Sequence, residues 1–189
     1  MAIIVVGGGG RGAGKTALIC GLIRALPELE WTAIKITSHA HEKPTPIWEE
    51  TLAGQETDTG RYLASGAKHA LLVTAADNEL GAIIEQVLDG HSPAGAVIFE
   101  SNRVLNHLRP DLCLAAATNP HGSHKASFAL VEERMDALVE LGGHDHVIEG
   151  QRICFRLRSL DRISPTMAEW LRGRLNGCAG VDAGGGQSA

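Results

Sequence analysis

Residues 9–16 read GGRGAGKT, four glycines ahead of a lysine and a hydroxyl side chain. The spacing is G-x-x-x-x-G-K-[ST] in full. Glycines let a backbone curl until successive N–H groups face one anion. The helix that starts there adds its partial positive charge. Lys15 then reaches the β- and γ-phosphates of a nucleoside triphosphate, and the Thr16 hydroxyl is a ligand for Mg²⁺. The phosphate-binding set is Gly9, Gly10, Arg11, Gly12, Ala13, Gly14, Lys15, Thr16 and Ala17. A dinucleotide reading of these glycines fits less well, because Gly14-Lys15-Thr16 suits a triphosphate and its metal.

Chemistry on a triphosphate needs a carboxylate near the metal, commonly at the end of a buried strand beside the first one. Glu100 ends AVIFE in that way. It holds the metal through water, orients an attacking water, or, as a plain strand-end acid, caps the next turn. Asp58 follows a long loop at the start of a helix. It is either a second metal-facing carboxylate, in a loop ordered by the γ-phosphate, or a first-turn acid favoured by the helix dipole. Lys15, Asp58 and Glu100 are the catalytic candidates; Thr16, Asp58 and Glu100 are the metal candidates. His39 and His41 in SHAHEK stand two apart with no third ligand nearby, so they read as loop histidines rather than a metal pair. His121 and His124 read the same way. Trp31 and Trp48 suit core or lid packing better than stacking on a ring.

The elements that must position these groups follow from periodicity. AIIVV (2–6), WTAIKIT (31–37), HALLVTA (69–75), AGAVIFE (94–100) and DLCLAAAT (111–118) read as buried strands, and HVIE (146–149) and RICFRLR (152–158) as edge strands. Helical spacing covers 14–26, 57–66 with Thr57 as N-cap, a stripe from Leu80 to Leu88 capped by Asp77, a short turn near 102–108, 125–141 with Phe128, Val131, Met135 and Leu138 inward, and 165–175 opened by Pro165. Residues 38–56 are polar, carry Pro44 and Pro46, and read as a long functional loop. Strands alternating with helices imply a mainly parallel sheet with helices on both faces, a three-layer α/β sandwich. Ligands in such sheets bind outside the carboxyl ends of the strands, which gathers 7–16, 37–58, 75–78, 100–103 and 118–125 at one site.

The bulk properties set limits. With 189 residues, 21% charged and 44% apolar, the chain suits one globular domain, here 1–176, with 177–189 an expected disordered tail. A net charge of −5 provides no global field for nucleic acid, and the late arginines 152, 156, 158, 162, 172 and 174 read as a solvated face. The four cysteines are widely separated, so Cys20 and Cys113 are core residues and a reducing cytoplasm is expected. MAIIVV is too short and uncharged for a signal peptide, and no apolar run approaches the ~20 residues of a membrane helix.

GRGAGKTAL, AIKITSHAHEK, ETDTGRYLASGAKHALLV and VIFESN together resemble the P-loop proteins of the molybdopterin-guanine dinucleotide biosynthesis protein B type, over roughly residues 3–103. The resemblance implies a P-loop fold, Mg²⁺, GTP, weak hydrolase activity, an accessory role in molybdenum cofactor assembly, and a homodimer. By position it places Lys15 and Thr16 on phosphate and metal, Asp58 in a switch, Glu100 at the strand end, and Lys35 and His39 on the substrate side. Ser101-Asn102 stands where that type has glycine after the glutamate. No Asn-Lys-x-Asp guanine signature appears; the base loop is TNPHGSHK (118–125), with Asn119 its amide, so GTP or ATP stays open. Arg103 either joins Lys35 and His39 as a candidate contact for a second anionic small molecule or is an exposed arginine at a helix start. Three functions remain: a slow Mg²⁺-dependent NTPase assisting cofactor or metabolite assembly, an ATP-dependent small-molecule kinase or ligase, and a nucleotide-responsive adaptor.

Overall fold

A computed structural model describes residues 1–10, 12–38, 45–90, 95–117, 132–142, 144–148 and 152–178. Nine strands form one sheet: β1 (Ala2–Gly8), β2 (Thr32–Thr37), β3 (Ile47–Glu49), β4 (His69–Thr74), β5 (Ala96–Glu100), β6 (Leu112–Ala117), β7 (Ala137–Leu141), β8 (His146–Ile148) and β9 (Ile153–Leu157). Their order is β3-β4-β2-β5-β1-β6-β7-β9-β8. All pairs are parallel except the two edges, where β3 and β8 run antiparallel to β4 and β9. Helices among the described residues are α1 (Lys15–Ala25), α2 (Asp58–Ala64), α3 (Leu80–Gly90) and α4 (Pro165–Cys178). None is long and apolar enough to cross a membrane.

The β-branched run of β1 is buried at the middle of the sheet because both faces are covered. Ile4 and Val6 pack on one face with Leu18, Leu22 and Tyr62 from α1 and α2 and Met167 and Leu171 from α4. Val5 packs on the other with Leu80, Ile84 and Val87 of α3. Strand parity then decides which face each polar residue meets.

Four expectations need correction. Residues 137–141 are strand β7, not helix, and a 3₁₀ turn precedes it at Glu132–Arg134. Ala137 and Val139 pack on one face and Leu138 on the other, and β7 is paired on both sides by β6 and β9. Residues 125–131 of that expected helix lie outside the described residues. The long loop contains β3, whose three residues find a ladder on the free edge of β4. The segment at 152–158 is internal, with β8 outside it. Asp77 does not cap α3: it stands three residues ahead of Leu80 and pairs with Arg103. Elsewhere, α4 continues to Cys178, and Trp31 is buried, its indole N–H donating to Leu26 O.

Candidate functional site

The carboxyl ends of β1, β2 and β5 meet the amino ends of α1 and α2. The turn after β1 enters α1 through Gly14, whose φ of 86° lies in the left-handed region that favours glycine. No side chain caps α1 and its first turn holds no acid, so the positive helix end is left facing the loop. Lys15 Nζ donates to Gly10 O at 2.8 Å, folded over its own loop. Asn102 fixes the lead-in to the loop. Its Oδ1 accepts from Gly8 N at 3.0 Å and its Nδ2 donates to Gly8 O at 3.1 Å. A Cβ at Gly7 would stand 2.5 Å from that same Oδ1, so the clamp requires glycine there.

Glu100 lies in register with Lys35 of β2 and Val6 of β1. Parity points Lys35 and Glu100 to the face that carries α1 and α2. Glu100 is only 6% exposed and takes three donors. Thr16 Oγ1 reaches its Oε2 at 2.8 Å, the Tyr62 hydroxyl donates to the same oxygen, and Lys35 Nζ reaches its Oε1 at 3.0 Å. Lys35 also donates to Asp58 Oδ2, and Arg61 stands 3.8 Å from Asp58 Oδ1.

The electrostatics follow from these contacts. Burial works against the Lys35 charge, but Glu100 and Asp58 outweigh it and the ammonium pKa is raised. Burial also works against ionised Asp58, yet Lys35, then Thr16 and Arg61, hold its pKa below the usual carboxylate value. Burial and the charge of Glu100 push the Tyr62 phenol well up, so it stays a donor.

Asp58 is held from behind by the loop before α2. Thr57 caps the helix, accepting from Gly60 N at 2.9 Å. Glu50 ties that loop together. Its Oε2 accepts from Thr57 and Thr59, and its Oε1 from the N–H groups of Thr51 and Leu52. These bonds outweigh desolvation and lower the Glu50 pKa.

A cavity of about 620 Å³ opens in front of this arrangement, walled by residues 12–17, the end of β2, Asp58, Arg61 and Glu100. Thr16, Lys35, Asp58 and Glu100 are therefore brought together. Arg103 is not: it faces Asp77 and the Ala75 carbonyl. Arg11, His39, His41, Asn119, His121 and His124 lie outside the described residues. Tyr62, Asn102 and Glu50 are additions to the sequence reading. Tyr62 was discoverable as the helical i+4 neighbour of Asp58. Asn102 and Glu50 act across the fold or within an irregular loop, where spacing carries no signal.

No protein-family model matches the chain, and no match arises among curated proteins. Solved structures do match. LpxK from Aquifex aeolicus in complex with ATP aligns at 18% identity and a TM-score of 0.53, over 82% of this chain. The chain spans about half, 53%, of that LpxK. The MobB protein homolog of Bacillus stearothermophilus aligns at 12% identity and a TM-score of 0.50, over 94% of this chain and 99% of the other. Bacillus subtilis MobB aligns at 17% identity and a TM-score of 0.49, over 93% and 98%. At these identities the likeness is one of fold: the chain shares an open, mostly parallel α/β architecture with LpxK and the Bacillus stearothermophilus MobB homolog.

Proposed function

We propose that this protein binds a nucleoside triphosphate with Mg²⁺ and hydrolyses it slowly, in the service of cofactor assembly of the molybdopterin type or of a related metabolite step. The observation that carries the reading is the convergence of Thr16, Asp58 and Glu100 beside an uncapped helix end and a glycine loop. LpxK from Aquifex aeolicus, which shares the fold, is in complex with ATP and supports the nucleotide part of the reading; the resemblance of residues 3–103 to the molybdopterin-guanine dinucleotide biosynthesis protein B type supports the cofactor part.

The donor set fits the metal. A hydroxyl and two carboxylates are hard oxygen ligands of the kind Mg²⁺ takes, with phosphate oxygens and water completing its shell. Bound there, the ion would neutralise charge on the phosphates and leaving oxygen. The chain's own residues divide the remaining work. The α1 amides and Lys15 bind the phosphates. Glu100, held by Thr16 and Tyr62, is a positioned acceptor rather than a mobile base. Asp58, whose side chain is 33% exposed, is the carboxylate able to orient the water that attacks the γ-phosphorus. Asn119 is the proposed amide for the base, adenine or guanine. The cavity also reaches past Lys35 to Arg61, which favours an anionic phosphate acceptor as the second reading, a small-molecule kinase.

Calorimetric titration of ATP and GTP, each with Mg²⁺, into wild-type protein and Lys15→Ala tests the proposal. The expected result is saturable binding of at least one nucleotide, weakened about 10- to 100-fold in the variant, followed by slow phosphate release. Absence of binding to the wild type overturns it. Transfer of the γ-phosphate to a metabolite, with little release to water, selects the kinase.

A further inference from the structure

Lys35 stands in an unusual place for a cation in a metal-dependent site. Its ammonium lies between two carboxylates from different elements, Asp58 on α2 and Glu100 on β5. On the other oxygen of Glu100 sits the Thr16 hydroxyl, at 2.8 Å. These are the oxygens that the nucleotide reading assigns to a divalent ion, so lysine and metal are attracted to one position. Arg61 faces the opposite oxygen of Asp58 at 3.8 Å, and Lys15 donates to Gly10 O. The Lys35 backbone is fixed by strand pairing on both sides, to Leu72 and to Glu100. Its four-carbon stem is flexible, and it lines the cavity.

We propose that Lys35 is a tethered cation that occupies the divalent-ion position between Asp58 and Glu100 and gives it up only when a polyphosphate arrives to receive the ammonium. The proposal rests on the nucleotide reading and names the regulation of that site: metal and triphosphate enter together, and neither is held well alone. Its physical basis is charge balance. With Lys35 in place, the two carboxylates are already half compensated and a divalent ion meets a fixed positive charge. An incoming polyphosphate supplies new anionic oxygens within reach of the same stem, so the ammonium exchanges one set of oxygens for another without being stranded in the cavity.

The first experiment uses Mn²⁺ alone as the probe, with free ion followed by electron paramagnetic resonance and no nucleotide present. Lys35→Met is expected to bind Mn²⁺ about tenfold or more tighter than wild type, and Lys35→Met/Asp58→Asn to lose that gain. Equal affinity in wild type and Lys35→Met overturns the proposal. The second experiment needs no variant to fold. In wild-type protein labelled with ¹⁵N-lysine, the Lys35 Nζ resonance is expected to stay in place with Mg²⁺ alone and to shift when Mg²⁺ and inorganic tripolyphosphate are added together. A shift with Mg²⁺ alone, or none with both, overturns it. Failure of the nucleotide reading shows separately, as no binding in the calorimetry, while a Mn²⁺ gain in Lys35→Met would still establish what Lys35 occupies.

Discussion

Two acid–base pairs are built into the sheet in the same way. On one side of β1, Lys35 and Glu100 stand in register on β2 and β5, 3.0 Å apart. On the other, Arg156 and Glu140 stand in register on β9 and β7, also 3.0 Å apart. Both glutamate side chains are 7% exposed. Opposite charges facing each other across strands are ordinary sheet chemistry. What separates the two is what the helices bring. Glu100 receives Thr16 from α1 and Tyr62 from α2, and Lys35 receives Asp58. Glu140 has the guanidinium and a contact with the Cys154 thiol, whose pKa is raised to about 11, by burial first and then by Glu140. A buried glutamate paired across strands is thus common to both; the first pair adds a second acid, two hydroxyls and an open cavity.

The largest effect that would test this contrast is the same substitution made twice. Glu100→Gln is expected to lower phosphate release about 100-fold or more. Glu140→Gln is expected to leave release within about twofold and to cost about 1–3 kcal/mol of stability instead, read by urea denaturation. Equal loss of activity in both would dissolve the distinction.

The pH dependence gives a smaller, sharper test. The depressed pKa of Asp58 contributes stability that is complete above its unfolded value of 3.8 and is lost as pH falls through the lower folded value. The raised pKa of Lys35 contributes stability that is complete below 10.5 and is lost as pH rises through the higher folded value. Lys35→Met removes the main cause of the Asp58 depression, so its acid limb should flatten: its stability gap to wild type is widest above pH 3.8 and closes as pH falls through the folded value. Arg156→Met, made on the half-exposed pair, should move that acid limb less. Circular dichroism against pH reads both, and identical limbs would refute the electrostatic account.

The smallest effect concerns the loop behind Asp58. Thr57→Ala removes the α2 cap and one partner of Glu50, at about 1 kcal/mol. It should lower kcat/KM several-fold by loosening Asp58, with nucleotide affinity through Lys15 retained. A stability loss with unchanged kcat/KM would show that the loop only supports the helix.

Local features were legible in the sequence, and non-local ones were not. The glycine loop and α1 are one contiguous signal, and Glu100 is marked by standing at the end of an apolar run. Thr57 was legible because caps act within three residues. The segment 125–141 misled because Phe128, Val131, Met135 and Leu138 fit a helical stripe, whereas the sheet imposes alternation on 137–141 from both neighbours. Strand β3 has only three residues and exists through its pairing with β4. The bridging position of Lys35 needs the β2–β5 register and α2 together, and none of these is a sequence pattern. The cavity side of the site reads well from the motif, while Arg103 went to Asp77 because β4, not β5 alone, decides what lies beside it.

The Asn102 clamp has a consequence for how this chain is able to vary. Its Oδ1 occupies the space that any side chain at position 7 would need, and the same amide holds both polar atoms of Gly8. Positions 7 and 102 therefore behave as one heritable character. Gly7→Ala alone collides, and Asn102→Ala alone abandons two hydrogen bonds at the root of the loop. A lineage leaving this arrangement is expected to change position 102 before position 7, since losing the amide costs two hydrogen bonds whereas a side chain at position 7 meets that amide at 2.5 Å.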